Sequence, residues 1–464
     1  MAGAVSHGAR KSLYCEGESN CARSGYSRAH RLALGMTSTS TINVFQRLAR
    51  QWDEIHPYNA AQILKIVGTP NLDALQDAWH DAMNDLGLGR VRQGDRSSFS
   101  YECLNGEMSH YGVKQVPAGI SLEDYVSEQL NRRFDNPSEP PFRPFLLTED
   151  GHYYAGVIYH HWVADSVSIR TLLREWFVRL FDPAQARKTP VRLAEAGYWK
   201  FLMSEGASAM GRGLLSATRW ASSLRRARRV EVRGKLDLSV RLAIRGAGPG
   251  SIDQLRQAAR ARRVTVNDLF LASIAQVCER YLPLKRRPRR QSMALGAIVD
   301  LRPYLNGQVG DAFGLFLGFT NIVCRPHEMR DPERLVQAIA EQSRKQKQFG
   351  IPQMSALRML AGVTAGRMYG VQQRAHFYQK HVPMAGGISN VNLNKCWATE
   401  YFPSPLLDYI RVSPTGPMMP IVFATTTLGS GFHFALTYRP SVVPESDVNG
   451  VATTFLDCLS AYSR

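Results

Sequence analysis

The stretch that most constrains this chain runs from residue 153 to residue 181. Residues 153–159 are apolar and rich in β-formers, and they read as a strand that ends at His160-His161. A polar turn carrying Asp165 follows. Ile169, Leu172, Leu173, Trp176 and Leu180 then recur at helical spacing, which predicts a helix from Ser168 to about residue 181. Side chains alternate along a strand, so the two histidines point to opposite faces and only one can face a given cleft. A lone core histidine is usually structural. A pair at a strand end, with an acid four residues on, is a better candidate for chemistry.

The rest of the chain divides around this segment. Val44, Leu48 and Trp52 share a helix face, and His56-Pro57-Tyr58 breaks that helix. Asn71 caps a helix with Leu72, Leu75, Trp79, Met83 and Leu86 on one side, and Ser121 opens another. A second structured half begins at Ser251, with helices expected over 251–262 and 267–282. Strands are expected over 293–299, 387–393 and 421–427, with 432–438 as the hairpin partner of the last, before a closing helix over 446–459. At about 150 residues per domain, 464 residues suggest two or three domains. The expected division is a tail over 1–36, a first lobe over 37–195, a basic connection over 196–250 and a second lobe over 251–464.

Charge narrows the choice of partners. The formal net charge is +18, but residues 212–290 hold 20 Lys and Arg against 5 Asp and Glu, so the basic character is local. That argues against a nucleic-acid coat and for an anionic partner at one place, or else a solvated linker and helix face. No zinc-finger, RNP-like or helix-turn-helix pattern supports nucleic-acid binding. Seven scattered cysteines with no CxxC pair indicate neither a zinc site nor a disulfide framework, and no metal cofactor is expected. No apolar run is long enough to span a bilayer; the scattered cysteines suit a reducing interior, so a cytoplasmic protein, with peripheral membrane contact as an option, is expected.

The run from Tyr159 through His160-His161-Trp162-Val163-Ala164-Asp165 to Ser168 resembles the HHxxxDG motif of the CoA-dependent acyltransferase superfamily. That superfamily includes chloramphenicol acetyltransferases, condensation domains of peptide synthetases and wax ester synthases. Val266-Asn267-Asp268 resembles its second-lobe helix, Asp300-Leu301-Arg302-Pro303 its arginine-ended strand, and residues 314–321 a later glycine- and asparagine-bearing segment. Ile388-Ser389-Asn390-Val391 resembles the S-N strand of the wax ester synthase branch. Order and spacing agree over about residues 42–460.

The resemblance implies an α/β fold of two chloramphenicol acetyltransferase-like lobes in a V-shaped pseudodimer with a central tunnel. It implies that His161 is the catalytic histidine, His160 its structural neighbour, and Asp165 the partner of Arg302. Ser389 and Asn390 are the candidates for holding the oxyanion. The implied reaction moves an acyl group from acyl-CoA or an acyl carrier protein, as cosubstrate, to a hydroxyl or amine in lipid or secondary metabolism. A neutral imidazole suits the removal of the acceptor's proton. With no GxSxG present, direct transfer is preferred to an acyl-enzyme.

Lys285, Arg286, Arg287, Arg289 and Arg290 are candidates for donor or carrier contact. Arg225, Arg226, Arg228 and Arg229 follow an amphipathic stretch (Leu214, Leu215, Trp220, Leu224) that suggests a membrane-surface helix. One departure stands out: Ser166 occupies the place of the motif glycine, in a turn expected to favour positive φ. It motivates the alternative of a catalytically inactive, condensation-like protein that binds a lipid or a carrier.

Overall fold

The computed structural model describes residues 39–94, 98–104, 111–135, 138–194, 211, 215, 218, 219, 221–231, 237–304, 310–395, 397 and 406–464. The tail, and Leu214 and Trp220 of the amphipathic stretch, lie outside the described residues. The helices are α1 (Val44–Ile55), α2 (Leu72–Asp85), α3 (Leu122–Asn131), α4 (Ser166–Phe181) and α5 (Ser251–Ala261). They continue with α6 (Val266–Tyr281), α7 (Pro332–Gln348), α8 (Ile351–Arg367), α9 (Val371–His381) and α10 (Val448–Ser463). The strands of the two large sheets are β1 (Asn59–Val67), β2 (Lys114–Gln115), β3 (Phe142–Glu149), β4 (His152–His160), β5 (Arg241–Ala247) and β6 (Met293–Asp300). After them come β7 (Leu317–Cys324), β8 (Gly386–Asn392), β9 (Leu406–Val412), β10 (Ile421–Leu428) and β11 (Gly431–Tyr438).

Local chemistry places the helix starts. The side chains of Asn43, Asn71 and Ser121 each accept a backbone N–H in the first turn that follows, satisfying donors that a helix leaves orphaned. Asn43 also exchanges hydrogen bonds with Gln46 and donates to the Leu315 carbonyl at 2.7 Å, so this cap ties α1 to the second half of the chain.

The first sheet has the order β9-β1-β4-β3-β2 and the second β7-β6-β8-β10-β11-β5. Two strands cross the expected division. β9 comes from the second half of the sequence but pairs antiparallel with β1, placing Arg411 opposite Gln62. β5 lies in the stretch read as a connection, yet it pairs along its length with β11 as an edge of the second sheet.

Strand β4 is buried from Tyr153 to His160, as a strand covered on both faces must be. On one face Ala155, Val157 and Tyr159 join a core built with Trp79 of α2 and Trp176 of α4, whose rings meet edge to face at 5.0 Å. Truncating a fully buried tryptophan such as Trp176 to alanine costs about 3–5 kcal/mol. On the other face Tyr154 and Ile158, with Ala61 and Ile63 of β1, pack against residues of the second sheet such as Leu242, Ala424 and Ala435. The two sheets therefore share one apolar seam, and the end of β4 lies beside it. The second sheet has its own core against α5, α6, α7 and α10, centred on Phe270, Phe423, Phe434 and Phe455.

Candidate active site

At the end of β4 the chain turns sharply and re-enters a helix within five residues. The helix begins at Ser166, two residues earlier than its apolar spacing suggests, because Asp165 is its cap. The Asp165 carboxylate accepts the N–H groups of Val167 and Ser168 on one oxygen. Its other oxygen accepts Arg302 Nη1 at 2.7 Å and the Phe316 N–H at 2.9 Å. Burial alone would push this carboxyl up. The Arg302 guanidinium and the backbone donors more than offset that and hold it below the ordinary carboxylate range.

Ser168 completes the clasp. Its hydroxyl donates to the Gly314 carbonyl and accepts from the Gly314 N–H and from Arg302 Nη2. The Asp165 N–H also donates to the Gly314 carbonyl. The turn of the first half is thus zipped to residues 312–316 of the second.

The two histidines diverge as strand alternation requires. The His160 ring stacks on Phe134, and its Nε2 lies 3.0 Å from Asp53 of α1. It does not line the central cavity. The His161 ring lies flat against Tyr58, 9° from parallel, and the His161 backbone N–H donates to the Tyr58 carbonyl. His161 Nδ1 is 2.8 Å from the Ala164 carbonyl oxygen. A carbonyl only accepts, so Nδ1 carries the hydrogen and the neutral ring keeps its lone pair on Nε2. Burial holds the His161 pKa below the usual imidazole value, which keeps the ring neutral near pH 7.

His161 lines a cavity of about 140 Å³ between the two sheets, together with Tyr58, Gln62, Ser166, Ser389, Asn390 and Arg411. Arg411 is the residue that sequence reasoning missed. It is 4 % exposed and projects from β9, the crossing strand. Its Nε donates to Ser166 Oγ at 2.8 Å, its Nη2 to Ser389 Oγ at 2.7 Å, and its Nη1 to the carbonyls of Ser389 and Thr425. The Asn390 side-chain oxygen accepts from the Thr425 hydroxyl. The only signal for Arg411 in the sequence is an arginine inside the apolar run Tyr409-Ile410-Arg411-Val412, and such runs are common.

Ser166 corrects an expectation. Among the described residues Arg263 is the only non-glycine with positive φ, so Ser166 takes the first helical position with ordinary negative φ. Its hydroxyl serves Arg411, and its carbonyl accepts from Gln62 Nε2.

The basic cluster is elsewhere. Leu284–Lys285 pairs with Arg229–Val230, and a tight turn over residues 287–290 follows. Lys285 pairs with Glu231, and Arg286 with Glu279, which also takes Arg228. None of Lys285, Arg286, Arg287, Arg289 or Arg290 lines the central cavity. Among the described residues no cluster of His, Cys, Asp or Glu is arranged to hold a metal ion, and no helix is long and apolar enough to cross a membrane.

The sequence pattern described as the condensation domain matches residues 48–356. No curated protein matches the sequence. The fold is similar to that of TRI3 trichothecene 15-O-acetyltransferase from Fusarium sporotrichioides, at 11 % identity and a TM-score of 0.69 over 93 % of this chain and 98 % of that one. It is similar to polyketide synthase associated protein 5 from Mycobacterium tuberculosis, at 15 % identity and a TM-score of 0.60 over 92 % and 99 % of the two chains. The condensation domain of the monacolin K polyketide synthase MokA gives 13 % identity and a TM-score of 0.62 over 92 % and 98 %. At these identities the likeness is one of fold.

Proposed function

The chain belongs to the condensation-domain family, and on that footing we propose that it moves an acyl group from a thioester to a hydroxyl or amine, with His161 as general base. The observation that carries this reading is the 2.8 Å contact between His161 Nδ1 and the Ala164 carbonyl oxygen. Nδ1–H is committed to the Ala164 carbonyl, which leaves the Nε2 lone pair for chemistry at the cavity. The acceptor's proton passes to Nε2 as its oxygen or nitrogen bonds to the thioester carbon. The tetrahedral adduct then collapses, the C–S bond breaks, and the imidazolium returns the proton to the departing thiolate. A base of this kind contributes about a hundred- to ten-thousand-fold in rate.

The developing oxyanion needs a donor, and Ser389 is suited to that role. Arg411 donates to its Oγ, so the hydroxyl hydrogen remains to be given to another acceptor. Asp165 and Arg302 act through position, by holding the turn that carries His161. The motive for the inactive alternative was a serine in a turn expected to favour positive φ, and Ser166 has no such conformation. Whether the donor rides on CoA or on a carrier, the basic surface around residues 285–290 offers an anionic partner a contact outside the cavity rather than in it. Neutralising Arg287, Arg289 and Arg290 should raise the donor KM more than it lowers kcat. An unchanged donor KM would remove that contact.

The test is thiol release from a panel of acyl-CoA donors with alcohols and amines, comparing the wild-type chain with His161→Ala. Turnover confined to the wild type supports the proposal. Equal activity, or equal inertness across all donors, defeats it.

A further inference from the structure

Outside the central cavity lies a larger one of about 710 Å³. It is walled by Leu215, Arg219, Ser223 and Arg226, by the end of β7, by α7 and by the start of α8. Five cations line it: Arg219, Arg226, Arg325, Lys345 and Arg358. No carboxylate stands among the described lining residues. Arg358 is the most deeply set, 7 % exposed, donating to the Phe319 carbonyl with its guanidinium over the Phe319 ring. At the rim Arg325 and Lys345 also meet Glu328 and Glu341, which do not line the cavity.

The apolar part of this cavity is equally marked. Val323 and Ile351 lie in its wall, and Leu215 and Phe349 line it although they are 61 % and 54 % exposed, a costly placement for large apolar side chains in water. Arg358 is shared with an adjoining cleft of about 310 Å³, whose walls include Leu48, Met359, Ala361, Gly362 and Phe377. A free inorganic anion would leave that apolar surface wet. A neutral lipid would bring no negative charge to the five cations that line it.

We propose that this cavity is a second ligand site, which takes an anionic amphiphile: a phosphate-type head held by the arginines and a single alkyl chain lying along the apolar wall. Planar guanidinium groups suit a phosphate head through paired, charge-assisted hydrogen bonds. His161 does not line this cavity, and the adjoining cleft shares Trp52, Phe319 and Met418 with the central one, so the second site lies next to the transfer site.

The test is equilibrium dialysis of the full chain with hexadecyl phosphate below its micelle concentration, beside butyl phosphate, hexadecanol and CoA. Hexadecyl phosphate should bind on the order of a hundredfold more tightly than butyl phosphate, because the chain adds buried area. It should bind at least about tenfold more tightly than hexadecanol, because the head adds charged hydrogen bonds. Arg226→Gln combined with Arg325→Gln should weaken hexadecyl phosphate by about tenfold or more and leave hexadecanol unchanged. Phe349→Ser should weaken both long-chain probes. All three side chains are exposed, so thermal melts of the variants should match the wild type. Butyl phosphate or CoA binding as tightly as hexadecyl phosphate would reduce the site to a simple anion patch. Unchanged affinity in the variants would place the lipid elsewhere. Either result overturns the proposal.

Discussion

Two arginines of the second half reach the turn after β4, and they meet it differently. Arg302 bonds a buried carboxylate and is sealed among Asp165, Ser168 and the Ala312 carbonyl. Arg411 bonds hydroxyls and carbonyls, and it lies on the cavity wall beside His161. The first joins opposite charges away from the reacting space, so its removal should register in stability. The second fixes the direction of two serine hydroxyls where substrates would lie, so its removal should register in turnover.

Breaking the first should have the largest effect. Arg302→Ala leaves Asp165 buried with only backbone donors, and should cost about 3–5 kcal/mol in urea unfolding. A loss under about 1 kcal/mol would mean that the clasp does not hold the fold. The pH dependence has a defined sign. Asp165 is held below the ordinary carboxylate range when folded, so its contribution is full above the unfolded pKa of about 3.9 and disappears as pH falls through the lower folded value. In Arg302→Ala the acid transition should begin at a higher pH.

The second arginine gives an intermediate effect. Arg411→Leu should lower kcat/KM by about a hundredfold, the scale of one lost oxyanion donor, while costing only about 1–3 kcal/mol of stability. Arg411→Lys should recover part of the activity. If Arg411→Leu unfolds the chain as badly as Arg302→Ala does, the contrast between the two arginines fails.

The smallest effect should come from Ser166. Ser166→Ala removes one hydrogen bond to Arg411 and should cost about 1 kcal/mol, with kcat/KM within about tenfold of wild type. A far larger loss of turnover would mean that the serine itself takes part in the chemistry.

What was legible in the sequence followed from local rules. Caps at Asn71 and Ser121 mark helix starts, and the alternation that separates His160 from His161 is a property of any strand. Asp165, Arg302, Ser389 and Asn390 are candidates because of their motifs, and the fold brings Asp165 to Arg302 and places Ser389 and Asn390 on the cavity of His161. The hidden parts depend on contacts distant in sequence. β9 pairs with a strand more than 340 residues earlier, so nothing local announces that Arg411 faces His161's cavity. β5 is a short edge strand inside a basic, glycine-bearing stretch, which reads as a linker until β11 supplies its partner. Helix α8 packs on both α1 and β7, so its apolar residues form no single stripe. In the basic cluster Glu231 and Glu279 engage Lys285, Arg286 and Arg228, a pairing that a count of charges along the sequence does not show.

The central claim is that a neutral, pre-oriented His161 takes the acceptor's proton. The most direct measurement is kcat/KM against pH for the wild type and for His161→Ala, with one active donor and acceptor pair. The wild-type rate should rise about tenfold per pH unit and then level off, with a midpoint below the usual imidazole value of about 6.5. The variant should lose most of its activity together with that limb. A midpoint above about 6.5, or the same limb persisting without His161, would contradict the account.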